Sequence, residues 1–131
     1  NRQVVCISGD GCFHMNCAEV STAAAYNLPI IIMVMNNGVL GMVRQWQKLF
    51  FNQRYSQTTL NRKTDYVKLA EAFGAKGRRL MKNEDIEETL SWAISQKSPV
   101  VIDCVIGKDA NAFPMIPPGG AAEEIMLEED L

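Results

Sequence analysis

Three short, predominantly apolar runs narrow the fold of this chain more than any other feature: Val4-Val5-Cys6-Ile7-Ser8, Ile30 to Met35, and Pro99 to Ile106. Short apolar runs without polar alternation predict strands buried on both faces, as in parallel sheets covered by helices. Met15 to Tyr26 lies between the first two runs, free of Gly and Pro and rich in alanine (Ala18, Ala23, Ala24, Ala25), and predicts a helix packed closely on the sheet. Asn27-Leu28-Pro29 stops it, because proline disfavours helix in the residue before it. Leu40 to Phe51 carries Met42, Trp46, Leu49 and Phe50 at helical spacing, and Asn52 to Thr64 reads as a polar loop. Asp65 is placed to cap a helix with its stripe at Tyr66, Leu69, Ala70 and Phe73, ended by Gly74. Lys76 to Leu80 reads as a short strand. Asn83 is placed to cap a further helix with its stripe at Ile86, Leu90, Ala93 and Ile94. The expected class is α/β, a parallel sheet sandwiched by helices.

With 131 residues the chain has room for one compact domain, and 47% hydrophobic content is too apolar for disorder. We divide it into an α/β binding region, 1–109, and an extended proline-rich segment with an acidic tail, 110–131, of which residues 111–131 are expected to lack order without ligand. A net charge of −2 argues against nucleic acid as a partner, and no apolar run is long enough to cross a membrane. The four cysteines form no C-x-x-C pair and His14 is the one histidine, which excludes a structural zinc site and fits reduced thiols in the cytoplasm. The first apolar run follows Asn1-Arg2-Gln3 at once, with no initiator Met and no signal-peptide pattern. We therefore expect a piece of a longer polypeptide.

The chemistry concentrates in Ser8-Gly9-Asp10-Gly11-Cys12, at the carboxyl end of the first strand, where ligands bind in open α/β sheets. Glycines let backbone N–H groups approach an anion, yet the segment is neither a Walker loop nor a G-x-G-x-x-G pattern. Asp10 sits where a phosphate would lie and would repel it unless a divalent cation joined the two; Mg²⁺ commonly does so. The second strand ends in Asn36-Asn37-Gly38, separated from Gly11 by 24 residues, enough for one helix and one strand. Asn37 can offer the same ion an amide oxygen. Either tripeptide alone is a plain turn; together, on successive strand ends, they form a specific signal.

The segment Gly9 to Asn37 resembles the thiamine diphosphate motif. Gly41-Met42-Val43-x-Gln45-Trp46, Leu69-Ala70-Glu71-Ala72-Phe73-Gly74 and Pro114-Met115-Ile116-Pro117-Pro118-Gly119 resemble the large catalytic subunit of acetolactate synthase, over residues 3 to 126. The resemblance implies condensation of two pyruvates, or of pyruvate and 2-oxobutyrate, with loss of CO₂, at the entry to valine and isoleucine biosynthesis. It implies Mg²⁺ held by Asp10, Asn37 and the Val39 carbonyl. It also implies thiamine diphosphate bound by Gly9, Asp10, Gly11, Cys12, Asn37, Val39, Leu40, Gly41 and Met42. Met42 and Trp46 would shape the pocket for 2-oxo acid substrates. FAD would be bound by a middle domain upstream of residue 1. The activating glutamate would come from an N-terminal domain of the partner subunit. The implied assembly is a homodimer or homotetramer with active sites at the subunit interface, joined by a small regulatory subunit. No catalytic residue is assigned within these 131 residues, and the fragment alone is expected to be inactive. Cys12 departs from the family, where serine is usual and its hydroxyl bonds phosphate; a thiol donates weakly.

Two other readings remain open at this point. One is a sister thiamine diphosphate enzyme, such as a pyruvate oxidase, a decarboxylase or glyoxylate carboligase. The other is a non-catalytic phosphate-binding α/β module. Other polar residues carry plainer expectations. His14 begins a helix, Arg44 and Lys48 form a solvated face, and Glu19 is a helix-surface residue or a local hydrogen-bonding partner.

Overall fold

The computed structural model describes residues 2–130; Asn1 and Leu131, the outermost residues of the two expected regions, lie outside the described residues. Four strands, β1 (Val4–Gly9), β2 (Ile30–Asn36), β3 (Lys76–Leu80) and β4 (Val100–Val105), form one sheet in the order β1-β2-β4-β3. All three pairings are parallel, as the apolar runs predict. Five helices accompany them: α1 (Asp10–Asn16), α2 (Glu19–Ala25), α3 (Gly41–Phe50), α4 (Tyr66–Ala72) and α5 (Ile86–Ser95).

Side chains alternate across a strand, so the sheet builds two cores. On one face Ile32, Val34 and Val101 pack with Phe13 of α1, Val20 of α2, and Tyr66 and Ala70 of α4. On the other, Ile31, Val100, Ile102 and Cys104 pack with Ala93 of α5. The register sets Gly9 beside Met35, so β1 and β2 end level with each other and deliver their following loops to one place.

Several local expectations are corrected. The first run is a strand but is not buried on both faces: Val4, Val5 and Ile7 are 55%, 49% and 70% exposed. β1 is an edge strand, and α5, the helix on the second face, sits over β4 and the opposite edge, β3, instead. The helix expected over Met15 to Tyr26 begins earlier, at Asp10, and is broken at Cys17-Ala18. There the chain tightens into three-residue turns, Val20 N–H to Cys17 O (3.1 Å) and Ser21 N–H to Ala18 O (3.0 Å), and the Ser21 hydroxyl also donates to Ala18 O. Asn83 caps no α-helix; it opens a single 3₁₀ turn, and α5 starts at Ile86. That helix rolls so that Thr89 and Ala93 are buried while Ile86 and Ile94 are 40% and 59% exposed. Asp65 does cap α4, its Oδ1 accepting from the N–H groups of Val67 (3.1 Å) and Lys68 (3.2 Å).

α4 crosses so close to β3 that one position tolerates only glycine. A Cβ on Gly77 would lie 2.8 Å from the Val67 carbonyl oxygen and 2.9 Å from its Cα. Backbone atoms cannot swing aside. Gly77→Ala is therefore expected to lower stability by about 1–3 kcal/mol, the usual cost of overpacking, as urea unfolding would measure. A variant as stable as wild type would show that the helix can lift off the strand freely.

Candidate cofactor and metal site

The strand β1 runs straight into α1, and Asp10 is the first helical residue. Its side chain is only 3% exposed. Oδ1 accepts the Gly11 N–H (2.9 Å) and Oδ2 accepts the Gly38 N–H (3.0 Å), so one carboxylate ties the end of β1 to the loop after β2. Gly38 adopts φ +68°, a conformation that strains L side chains. Asn37 closes the same turn, its Oδ1 accepting the Val39 N–H at 3.1 Å.

Val39 forms an antiparallel bridge with Thr59, flanked by Leu40 N–H to Thr58 O and Leu60 N–H to Gly38 O, both 2.8 Å. In that pattern the bridging residue turns its own N–H and C=O to the opposite edge. The Val39 carbonyl thus lies on the side where its N–H meets Asn37. Behind Asp10, the buried Tyr66 hydroxyl donates to the Asp10 carbonyl oxygen (3.4 Å). Burial, and next the Asp10 charge, push the Tyr66 pKa up, so it stays a neutral donor.

These residues border a cleft of about 370 Å³, within the size range of small-ligand sites. Gly9, Asp10, Gly11, Cys12, Asn37, Val39, Leu40, Gly41 and Met42 all line it, which brings together the whole expected cofactor-binding set. Trp46 does not; it is 40% exposed and meets Phe50 edge to face at 6.4 Å. His14 is exposed and lies outside the cleft lining. The lining also includes Met15, Val43 and Arg62, which sequence reasoning missed. Arg62 lies in the polar loop of 52–64, where no periodicity could single it out.

The donor set suits a hard cation. Asp10 is a buried carboxylate satisfied by backbone N–H groups, yet none of the ion pairs among the described residues involves it. Buried charges are ordinarily paired or bound to metal. Each of its oxygens keeps lone-pair capacity, and Asn37 Oδ1 and the Val39 carbonyl add two neutral oxygens. Oxygen-only ligation of this kind matches Mg²⁺.

α3 and the tail after β4 frame the cleft from outside. Gln45 is 3% exposed, and its amide clasps Ala112 in both directions, Nε2 to the carbonyl (3.0 Å) and Oε1 from the N–H (2.8 Å). Residues 111–120 form no helix, and Met115 bridges Met126. Arg44 is not the solvated residue expected. It pairs with Asp109 at 2.8 Å and stacks on Tyr55, and its hydrogen bond, aided by its charge, holds the Asp109 carboxyl below the usual carboxylate range. Glu19 fulfils its local role by accepting from Thr22 Oγ1 at 3.2 Å.

Comparison with known proteins agrees with this geometry. Residues 1–104 match the family model described as "Thiamine pyrophosphate enzyme, C-terminal TPP binding domain". The chain is 43% identical over 129 residues to the acetolactate synthase isozyme 2 large subunit of Escherichia coli, covering 98% of this chain and 23% of that one. It is 45% identical over 128 residues to an acetolactate synthase of Mycobacterium bovis, covering 94% and 21%. Among solved structures it resembles a thiamine diphosphate-dependent 4-hydroxybenzoylformate decarboxylase of Rhodococcus jostii, with a TM-score of 0.76 and 27% identity over 86% of this chain and 21% of that one. The chain thus spans about a fifth of the length of these proteins. Buried Asp10, the Asn37 turn and the shared cleft are carried by a chain that belongs to the thiamine pyrophosphate enzyme family, as its C-terminal TPP-binding domain.

Proposed function

We propose that this chain is the cofactor-binding domain of an acetolactate synthase large subunit. The observation that carries the reading is Asp10: a buried carboxylate with no ion-pair partner among the described residues, facing a cleft whose other donors are oxygens. The similarity to acetolactate synthases at 43–45% identity narrows the reaction class.

Asp10, Asn37 and the Val39 carbonyl would hold Mg²⁺. Gly9, Gly11, Cys12 and the 39–42 backbone would hold the diphosphate. When bound, thiamine diphosphate supplies an electron sink for decarboxylating a 2-oxo acid and adding the remainder to a second one. The chain's own contribution is orientation. Met15, Val39, Leu40, Met42 and Val43 give the cleft an apolar wall against which the reacting end of the cofactor would lie. The carboxylate of Asp10 fixes the Gly38 turn on which Asn37 and Val39 sit.

The reading extends to the whole protein: pyruvate alone or with 2-oxobutyrate as substrates, in branched-chain amino acid biosynthesis in the cytoplasm. FAD would be bound mainly by parts of the protein outside this domain, and a small regulatory subunit would join the assembly. The active site would be completed across a homodimer or homotetramer interface, because no activating glutamate is assigned here, and the 131 residues alone would be inactive.

The test uses the full-length polypeptide that carries this sequence, incubated with pyruvate, Mg²⁺, thiamine diphosphate and FAD. Acetolactate is the expected product. Acetaldehyde or acetyl phosphate would keep the cofactor site and reassign the reaction to a decarboxylase or oxidase. No product and no bound cofactor would leave only the fold.

A further inference from the structure

We propose that Arg62 is an anion-binding residue of the cleft that grips the diphosphate group of the cofactor, taking over the donor role that Cys12 fills poorly. This rests on the cofactor reading above. Arg62 is the one basic side chain among the described residues that line the cleft. It is exposed at the rim, and its Nη1 makes a long contact to the Asp10 carbonyl oxygen at 3.5 Å. The guanidinium also lies against the Tyr66 hydroxyl. These contacts anchor one end of a fork that has five N–H donors. None of the ion pairs among the described residues involves Arg62.

The electrostatics of the cleft call for such a group. A diphosphate beside Asp10 faces a buried negative charge, and one divalent cation does not neutralise both. The backbone N–H groups that would hold the diphosphate carry no net charge and the Cys12 thiol is a weak donor, so Arg62 is the one cationic donor among the described lining residues. A guanidinium bonds phosphate oxygens in bidentate fashion and keeps its charge at any working pH.

The test measures affinity in the full-length polypeptide by calorimetry, for thiamine diphosphate and for unphosphorylated thiamine, both with Mg²⁺. Arg62→Ala is expected to weaken thiamine diphosphate about tenfold, as loss of a charged hydrogen bond does, and to leave thiamine unchanged. Arg62→Lys should retain part of the affinity, and the wild-type dissociation constant should rise more steeply with salt than that of the alanine variant. Equal loss for both ligands would overturn the anion role. Unchanged thiamine diphosphate affinity with a lower melting temperature would make Arg62 a clamp on Asp10 and Tyr66, and also overturn it. If wild type binds no thiamine diphosphate at all, the reading of the site fails and this inference falls with it.

Discussion

Asp10→Ala in the full-length polypeptide is expected to weaken binding of thiamine diphosphate with Mg²⁺ on the order of 100-fold or more, since even outer-shell partners of metal ligands are worth 10–100-fold. Two separate jobs end with that side chain. It accepts the Gly11 and Gly38 N–H groups, which holds the two strand ends together. It also offers the cleft its one buried negative charge among the described lining residues. Asp10→Asn separates the jobs. An asparagine oxygen can still accept the Gly38 N–H, so the turn survives, but the charge is gone. Calorimetry at fixed Mg²⁺ should therefore find the asparagine variant nearly as weak as alanine while its melting temperature stays closer to wild type. Wild-type affinity in Asp10→Asn would sink the metal role and leave Asp10 as a structural clasp.

The parts of this molecule legible in the sequence are those that repeat or that carry unusual residues locally. Strands β1, β2 and β4 follow from apolar runs, and the cap of Asp65 on α4 follows from its position before an amphipathic stripe. The cleft follows from Gly9-Asp10-Gly11 and Asn36-Asn37-Gly38, because parallel pairing of β1 with β2 makes two strand ends neighbours. What sequence could not give was decided at long range. The exposure of Val4, Val5 and Ile7 depends on β1 taking the sheet edge, and an apolar run looks the same at an edge as at the centre. Gln45 looks like a polar residue on a helix, but it is buried against Ala112, 67 residues away. Trp46 lies one turn beyond Met42 on the same face of α3, yet the cleft lining stops at Val43 and Trp46 packs against Phe50. Arg62 reaches the cleft because the Val39–Thr59 bridge folds its loop back over the site.

The same limit hides the ionic link that joins the sheet to the cofactor loop, and here the second large effect is expected. Asp103 of β4 is 1% exposed; its Oδ2 accepts Arg79 Nε at 2.9 Å and its Oδ1 accepts Asn36 Nδ2 at 2.8 Å. Arg79 also bonds Asp65 Oδ1 at 2.9 Å, so β2, β3, β4 and the cap of α4 share one network. Removing Arg79 strands a buried carboxylate without its cation, a change that costs 3–5 kcal/mol in fully buried pairs. Because the Arg79 side chain is 41% exposed, water can enter the gap, and Arg79→Ala is expected to cost about 2–3 kcal/mol in urea unfolding. Adding Asp103→Asn to Arg79→Ala should restore much of that loss. The unpaired charge is then gone, while an amide oxygen can still accept from Asn36. Additive losses in the double variant would mean that the pair contributes through packing. Recovery would mean that Arg79 is there chiefly to neutralise Asp103. On that outcome the carboxylate itself serves Asn36, the residue at the end of β2 from which Asn37 enters the site.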